Sequence, residues 1–177
     1  MNTQAVPRLK FIDESGAHLG LTRLYGRATP GERVVEATPS GGGARYTFVS
    51  TLSLSGLSAP WILNGTMTSA AFQVYVTQLL VPNLLPGDVV ILDNLRAHLA
   101  PSIRSSIEAC GAELLFLPPY SPDLTPIEAC WAKFKAALRK AKARTYEALL
   151  AACEQAFAAI SLQDIRGSFA ACGYPVP

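Results

Sequence analysis

Hydrophobic and polar positions change their spacing along the chain, and the change divides it. Arg8–Asp13 is a short, mostly apolar run ended by the turn signal Glu14-Ser15-Gly16, which predicts a strand with Leu19–Tyr25 as its hairpin partner. Gly26–Arg33 and Pro39–Gly43 read as loops. From Tyr46, the apolar residues Tyr46, Phe48, Leu52 and Leu54 alternate with Thr47, Thr51, Ser53 and Ser55, the period of a half-buried strand. Gly56 turns it and Ala59–Leu63 returns. The spacing then becomes helical. Ala71, Phe72, Tyr75, Val76, Leu79 and Leu80 predict a helix over Thr68–Leu80, stopped by Pro82 and Pro86.

Asp88–Asp93 encloses four consecutive apolar residues, the pattern of a strand buried on both faces. Pro101–Cys110 suits a helix closed by Gly111, Glu113–Leu117 a second buried strand, and Pro118–Pro122 a rigid loop. Helices are expected from Pro126 towards Arg144 and from Tyr146 to Ile160. Strands first, then alternating helix and strand, predict an α/β fold with a mixed sheet covered by helices on both faces. In it, the Arg8–Asp13 and Asp88–Asp93 strands run as parallel neighbours if the intervening hairpin lies on one side of the first.

Composition narrows the class. Of 177 residues, 50% are hydrophobic and 16% charged, below the roughly 25% of an average domain, which excludes intrinsic disorder. A net charge of +2 is too small to require a polyanionic partner, so any nucleic-acid argument rests on local charge. The N-terminus has no apolar signal region and no run approaches the ~18 apolar residues of a membrane span. Cys110, Cys130, Cys153 and Cys172 are too scattered for a zinc site. The expectation is four reduced thiols in a cytoplasmic protein with no membrane partner.

The candidate chemistry is acidic. Asp13 and Asp93 each close an apolar run, 80 positions apart, and sites in parallel sheets gather at carboxyl ends of strands. Two converging carboxylates repel, which a hard divalent cation such as Mg²⁺ or Mn²⁺ resolves. The ordinary alternative is that each Asp caps its own turn. Glu128 is the third candidate. It also has an ordinary explanation: Thr125-Pro126-Ile127-Glu128 reads as a capping box. On the helix it opens, Ile127, Trp131, Phe134 and Leu138 form an apolar stripe, and Glu128, Lys135, Arg139 and Lys142 form a stripe beside it. Six of the chain's 15 basic residues lie between Lys133 and Arg144. Such a run is commonly a solvated face, but a basic stripe leading from carboxylates also suits a phosphate backbone, with Arg23, Arg27 and Arg33 adding to it. Tyr120 and Trp131 read as packing residues rather than base-stacking platforms, and Glu14 as outward-facing.

Together, Phe11-Ile12-Asp13-Glu14-Ser15-Gly16, then Leu92-Asp93-Asn94 with His98, then Pro118-Pro119-Tyr120-Ser121-Pro122-Asp123-Leu124-Thr125-Pro126-Ile127-Glu128 with Trp131 and Lys135, resemble bacterial insertion-sequence transposases of the mariner superfamily. The Gly26–Arg33 loop and the closing Cys172-Gly173-Tyr174 also fit, as do the 34 residues between the second and third acids. The resemblance covers nearly the whole chain. It implies a single ribonuclease-H-like catalytic domain over residues 1–177, with a mixed five-stranded sheet. Asp13, Asp93 and Glu128 would be the catalytic acids holding two Mg²⁺ or Mn²⁺ ions.

The implied activity is DNA cleavage and strand transfer at element ends. Its partners would be end and target DNA and a second copy of the chain, with the DNA contacted in part through Lys135, Arg139 and Lys142. Asn94 and His98 belong to the pattern without being metal ligands. For His98, orienting a carboxylate, contacting phosphate and tying down its loop stay open. Two departures stand out. Thr125 replaces the usual Asn, and the family's N-terminal helix-turn-helix is absent, which leaves two readings open: the catalytic half of a split transposase whose DNA-binding half is separately encoded, or a truncated copy. A ribonuclease-H-like nuclease without strand transfer, or an inactive DNA-binding remnant regulating a full-length transposase, are the alternatives.

Overall fold

The computed structural model describes residues 5–41, 43–119 and 121–176. Five strands form one sheet in the order β3-β2-β1-β4-β5: β1 (Leu9–His18), β2 (Arg45–Ser53), β3 (Gly56–Asn64), β4 (Val89–Leu92) and β5 (Glu113–Phe116). β1–β2 and β2–β3 are antiparallel, whereas β1–β4 and β4–β5 are parallel. The mixed sheet and its central parallel pair are as expected. Helices α1 (Ser69–Tyr75), α2 (Pro101–Glu108), α3 (Ile127–Ala141), α4 (Tyr146–Ala158) and α5 (Leu162–Ala171) complete the fold.

Strand alternation divides the core. Leu9, Phe11 and Ile91 face α3, α4 and α5, with Phe134, Leu138, Leu149, Ile165 and Phe169 packed against them. Ile12, Val90 and Leu92 face the opposite way, towards Phe72, Tyr75, Ile103 and Ile107 of α1 and α2. Successive side chains of a strand point to opposite faces, and both faces of β1 and β4 are covered. No single described helix is long and apolar enough to cross a membrane. The bent α4–α5 pair passes by composition alone, and its apolar faces are spent on the sheet.

Four local expectations are corrected. β1 runs through Glu14-Ser15-Gly16 instead of turning there, because β2 pairs with it residue by residue from Phe11↔Leu52 to His18↔Arg45, and a continuous ladder outweighs local turn preference. Leu19–Tyr25 is therefore not its hairpin partner and forms no strand. Leu24 and Tyr25 are exposed, and the Arg144 guanidinium takes up the carbonyls of Leu19 and Leu21. The Thr68–Leu80 helix is α only as far as Tyr75 and continues as a wider turn over Val76–Leu80. Finally, α3 stops at Ala141 rather than near Arg144. Lys142 takes the left-handed conformation (φ 52°) and closes the helix with its N–H on the Leu138 carbonyl, a C-terminal cap usually given to glycine.

The last helix, α5, is not among the expected elements. Ser161 and Asp164 close a reciprocal capping box at its start, a signal present in the sequence as Ser-x-x-Asp. The four cysteines are free, as expected.

Candidate active site

Period-two geometry places the first two acids together. β1 and β4 pair with an offset of 80 residues, from Leu9↔Val89 to Phe11↔Ile91. Carrying that register two residues further sets Asp13 level with Asp93, on the face that α3 covers. β4 ends at Leu92 while β1 continues, so Asp93 enters a loop. Asn94 ties this loop to the end of β5 by donating its side-chain N–H to the Leu117 carbonyl.

Glu128 arrives from the other direction. The Pro122–Leu124 turn leads into α3 and is held by the Tyr174 hydroxyl, which donates to the Leu124 carbonyl at 2.9 Å. The expected capping box does not form. Pro126 is the N-cap and no side chain caps the helix, which leaves the Glu128 carboxylate free of that duty. Asp13, Asp93 and Glu128 line one cleft of about 530 Å³ with Ile12, Asn94, Leu95 and the Pro118–Pro119 wall. Tyr120 lies outside the described residues. Trp131 is buried against Phe134 and Phe157, a packing residue as expected.

Among the described residues, no three His, Cys, Asp or Glu side chains are gathered tightly enough to hold an ion as they lie. The three acids share a cleft without closing on one point, which mutual repulsion favours. Their fit to a divalent cation rests on donor chemistry and charge. Burial first, then the charge of Glu128, push the Asp13 carboxyl up to about 7, a frustration that a hard cation relieves. For Asp93, burial acts upward, but the hydrogen bonds from His98 and the Leu95 N–H outweigh it and hold the group below the ordinary carboxylate value. Both of those bonds fall on Asp93 Oδ1.

Glu14 does not face outward. It lies on the Ile12 face of β1, mostly buried, and its Oε1 meets His98 Nε2 at 2.8 Å. Nδ1 of the same imidazole meets Asp93 Oδ1 at 2.6 Å. His98 is 1% exposed and lies against the Phe72 ring at 4.2 Å. A signal for Glu14 existed: Ile12 and Glu14 share a face, and a strand central enough to bury Ile12 buries its neighbour two residues on.

Burial acts downward on His98, but the hydrogen bonds to Asp93 and Glu14 prevail and raise it to about 9. From pH 6.5 to 9 the folded protein keeps a proton that the unfolded chain releases, so stability falls as pH rises through that window. The raised Asp13 acts with the same sign from about pH 4 to 7. The ion-free protein is therefore expected to melt at a lower temperature at pH 9 than at pH 6.5. Equal melting temperatures would mean that His98 is neutral when folded.

The basic stripe is only partly free. Lys142 pairs with Glu36 and Lys133 with Asp164, and Arg144 holds the Leu19–Leu21 carbonyls. Lys135, Arg139 and Lys140 carry no ion pair among the described residues.

No sequence among curated proteins matches the chain. Solved structures resemble it in shape. A pre-cleavage Mos1 transpososome superposes with a TM-score of 0.77 at 21% identity, over 96% of this chain and 54% of that one. A Mos1 mariner paired-end complex with Mn gives 0.74 at 21%, over 95% and 53%, and the catalytic domain of Mos1 mariner transposase gives 0.71 at 20%, over 96% and 79%. The chain thus spans about half the length of the first of these proteins. At such identities the likeness shows the fold, which is the expected ribonuclease-H-like one. Residues 8–150, a span that contains all three cleft carboxylates, match the family described as DDE superfamily endonuclease, and the chain belongs to that family.

Proposed function

We propose that residues 1–177 form the catalytic domain of a bacterial insertion-sequence transposase of the mariner type, which cuts DNA at the element's ends and joins the freed ends to a target. The observation that carries this reading is the convergence of Asp13, Asp93 and Glu128 on one cleft from β1, the loop after β4 and the start of α3. All three are oxygen donors, the set that suits Mg²⁺ or Mn²⁺. Two ions are proposed. Bound there, they supply activation of the attacking oxygen and stabilisation of the leaving oxygen in an in-line displacement. Asp13, half-buried and level with Asp93, provides the fixed side of that set. Glu128, exposed at the first turn of α3, provides the adjustable side. Mos1 is known in complexes with transposon ends and with Mn or Mg, which supports the same substrate and cation class here.

Lys135 and Arg139 continue from Glu128 along α3 and are assigned to the phosphate backbone, with Lys142 contributing less while it pairs with Glu36. Each phosphate that a basic side chain neutralises contributes about 0.9 to the salt slope of duplex binding. Lys135→Gln with Arg139→Gln is therefore expected to flatten the slope by about 2, read by fluorescence anisotropy across a salt series. An unchanged slope would return the stripe to solvent. His98 is assigned to orienting Asp93 and Asn94 to holding its loop. On the same reading the domain works as a homodimer on paired ends. Light scattering with end DNA tests the dimer.

The deciding experiment uses duplexes taken from the DNA flanking the gene. With Mn²⁺ or Mg²⁺, the protein is expected to nick them at the element boundary and to join a pre-cut 3′-hydroxyl end to target DNA. Cutting without joining would identify a nuclease. DNA binding with neither reaction would identify an inactive remnant.

A further inference from the structure

We propose that Glu14 is a positioning residue that acts on Asp93 through His98, fixing the direction in which the Asp93 carboxylate faces the cleft. The inference rests on the metal-binding reading of that cleft. Glu14 is adjacent in sequence to Asp13, but the sheet separates their side chains, and Glu14 reaches the other acid instead. β4 stops at Leu92 and leaves the β1 edge beyond Phe11 without a parallel partner. The buried His98, on the Arg96–His98 turn of the loop that follows, reaches both acids. Its Nε2 lies 2.8 Å from Glu14 Oε1 and its Nδ1 2.6 Å from Asp93 Oδ1, while Phe72 backs the ring. Asp93 Oδ1 also accepts the Leu95 N–H. One oxygen of Asp93 is thus fully engaged, and Oδ2 carries no hydrogen bond among the described residues, so it is the oxygen left for a ligand.

The arrangement carries a cost to the fold. Glu14 Oε2 is buried without a hydrogen-bond partner, and an unmatched buried carboxylate oxygen opposes folding. Apolar side chains often replace buried charged groups without loss of stability. A purely structural Glu14 would therefore be expendable, whereas one that orients a metal ligand would not. Partners that orient metal ligands typically account for about 10- to 100-fold in metal affinity.

The test is Mn²⁺ binding to the DNA-free protein, followed by calorimetry and water-proton relaxation, with thermal unfolding in parallel. Asp93→Asn is the control for the site itself and should abolish the tightest binding. Glu14→Met, which removes the acceptor and keeps the bulk, should weaken Mn²⁺ affinity about tenfold with an unchanged or raised melting temperature. Glu14→Gln keeps the shape and loses the charge, and should weaken affinity severalfold. On a His98→Met background, Glu14→Met should add no further loss. Parent-like affinity in either folded Glu14 variant, with Asp93→Asn defective, overturns the positioning role and leaves the site intact. Parent-like affinity in Asp93→Asn overturns the metal site and this inference with it. Losses that add fully in the double variant show that Glu14 acts apart from His98, which also overturns it.

Discussion

Asp93→Asn is expected to abolish Mg²⁺- and Mn²⁺-dependent cleavage while leaving the fold in place. The amide keeps an oxygen at Oδ1, so the Leu95 N–H and the His98 imidazole retain their acceptor, and the loop after β4 keeps its shape. What is lost is the negative charge and the unengaged second oxygen on the cleft side. A thousandfold fall in rate corresponds to about 4 kcal/mol of transition-state stabilisation, and at least that is expected from removing one of the three proposed anionic ligands. The measurement pairs a cleavage assay on end-containing DNA with thermal unfolding. A melting temperature within a few degrees of the parent, with cleavage below detection, is the predicted pair of results. Cleavage at the parent's rate would remove Asp93 from the chemistry.

Phe134→Ala should have the largest effect on stability. Phe134 is fully buried, with its ring 5.1 Å from Phe48 on β2, 5.4 Å from Trp131 and 4.6 Å from Phe157 on α4. It therefore joins the sheet, α3 and α4 at one point. Truncating a buried Phe costs about 3–5 kcal/mol through forfeited transfer energy and the cavity left behind, against a total stability of about 5–15 kcal/mol for an ordinary domain. Because α3 carries Glu128 at its first turn, a loosened α3 should also lower cleavage at temperatures where the protein is still mostly folded. Phe134→Leu, which refills most of the volume, should recover much of both losses. Denaturant unfolding decides the point: a change below about 1 kcal/mol would show that α3 is anchored elsewhere along its stripe.

Much of this site is legible in the amino-acid order. The apolar run Val89-Val90-Ile91-Leu92 announces a strand buried on both faces. The stripe Ile127, Trp131, Phe134 and Leu138 announces which side of α3 meets the sheet, and all four are buried. Asp13, Asp93 and Glu128 stand out because acids at the margins of apolar elements are costly without a partner. Each of these signals is local or periodic and survives without knowledge of the neighbours.

Where sequence reasoning fails, a distant partner decides. Glu14-Ser15-Gly16 has the composition of a turn, yet β2, more than 30 residues away, supplies a ladder that keeps it extended. Thr125 and Glu128 have the spacing of a capping box, but the chain enters α3 through Pro126 without closing it. Placing Asp13 in the site sends Glu14 to solvent only if the strand has one wet face, and the cover given by α1 and α2 reverses that outcome. The amino-acid order alone thus determined which residues carry charge and which faces are apolar, since periodicity is a property of the chain itself. Only the tertiary structure decided that Glu14 meets His98 and that three acids open on one cleft, because register, strand length and the covering of each face arise from contacts between segments far apart in the chain.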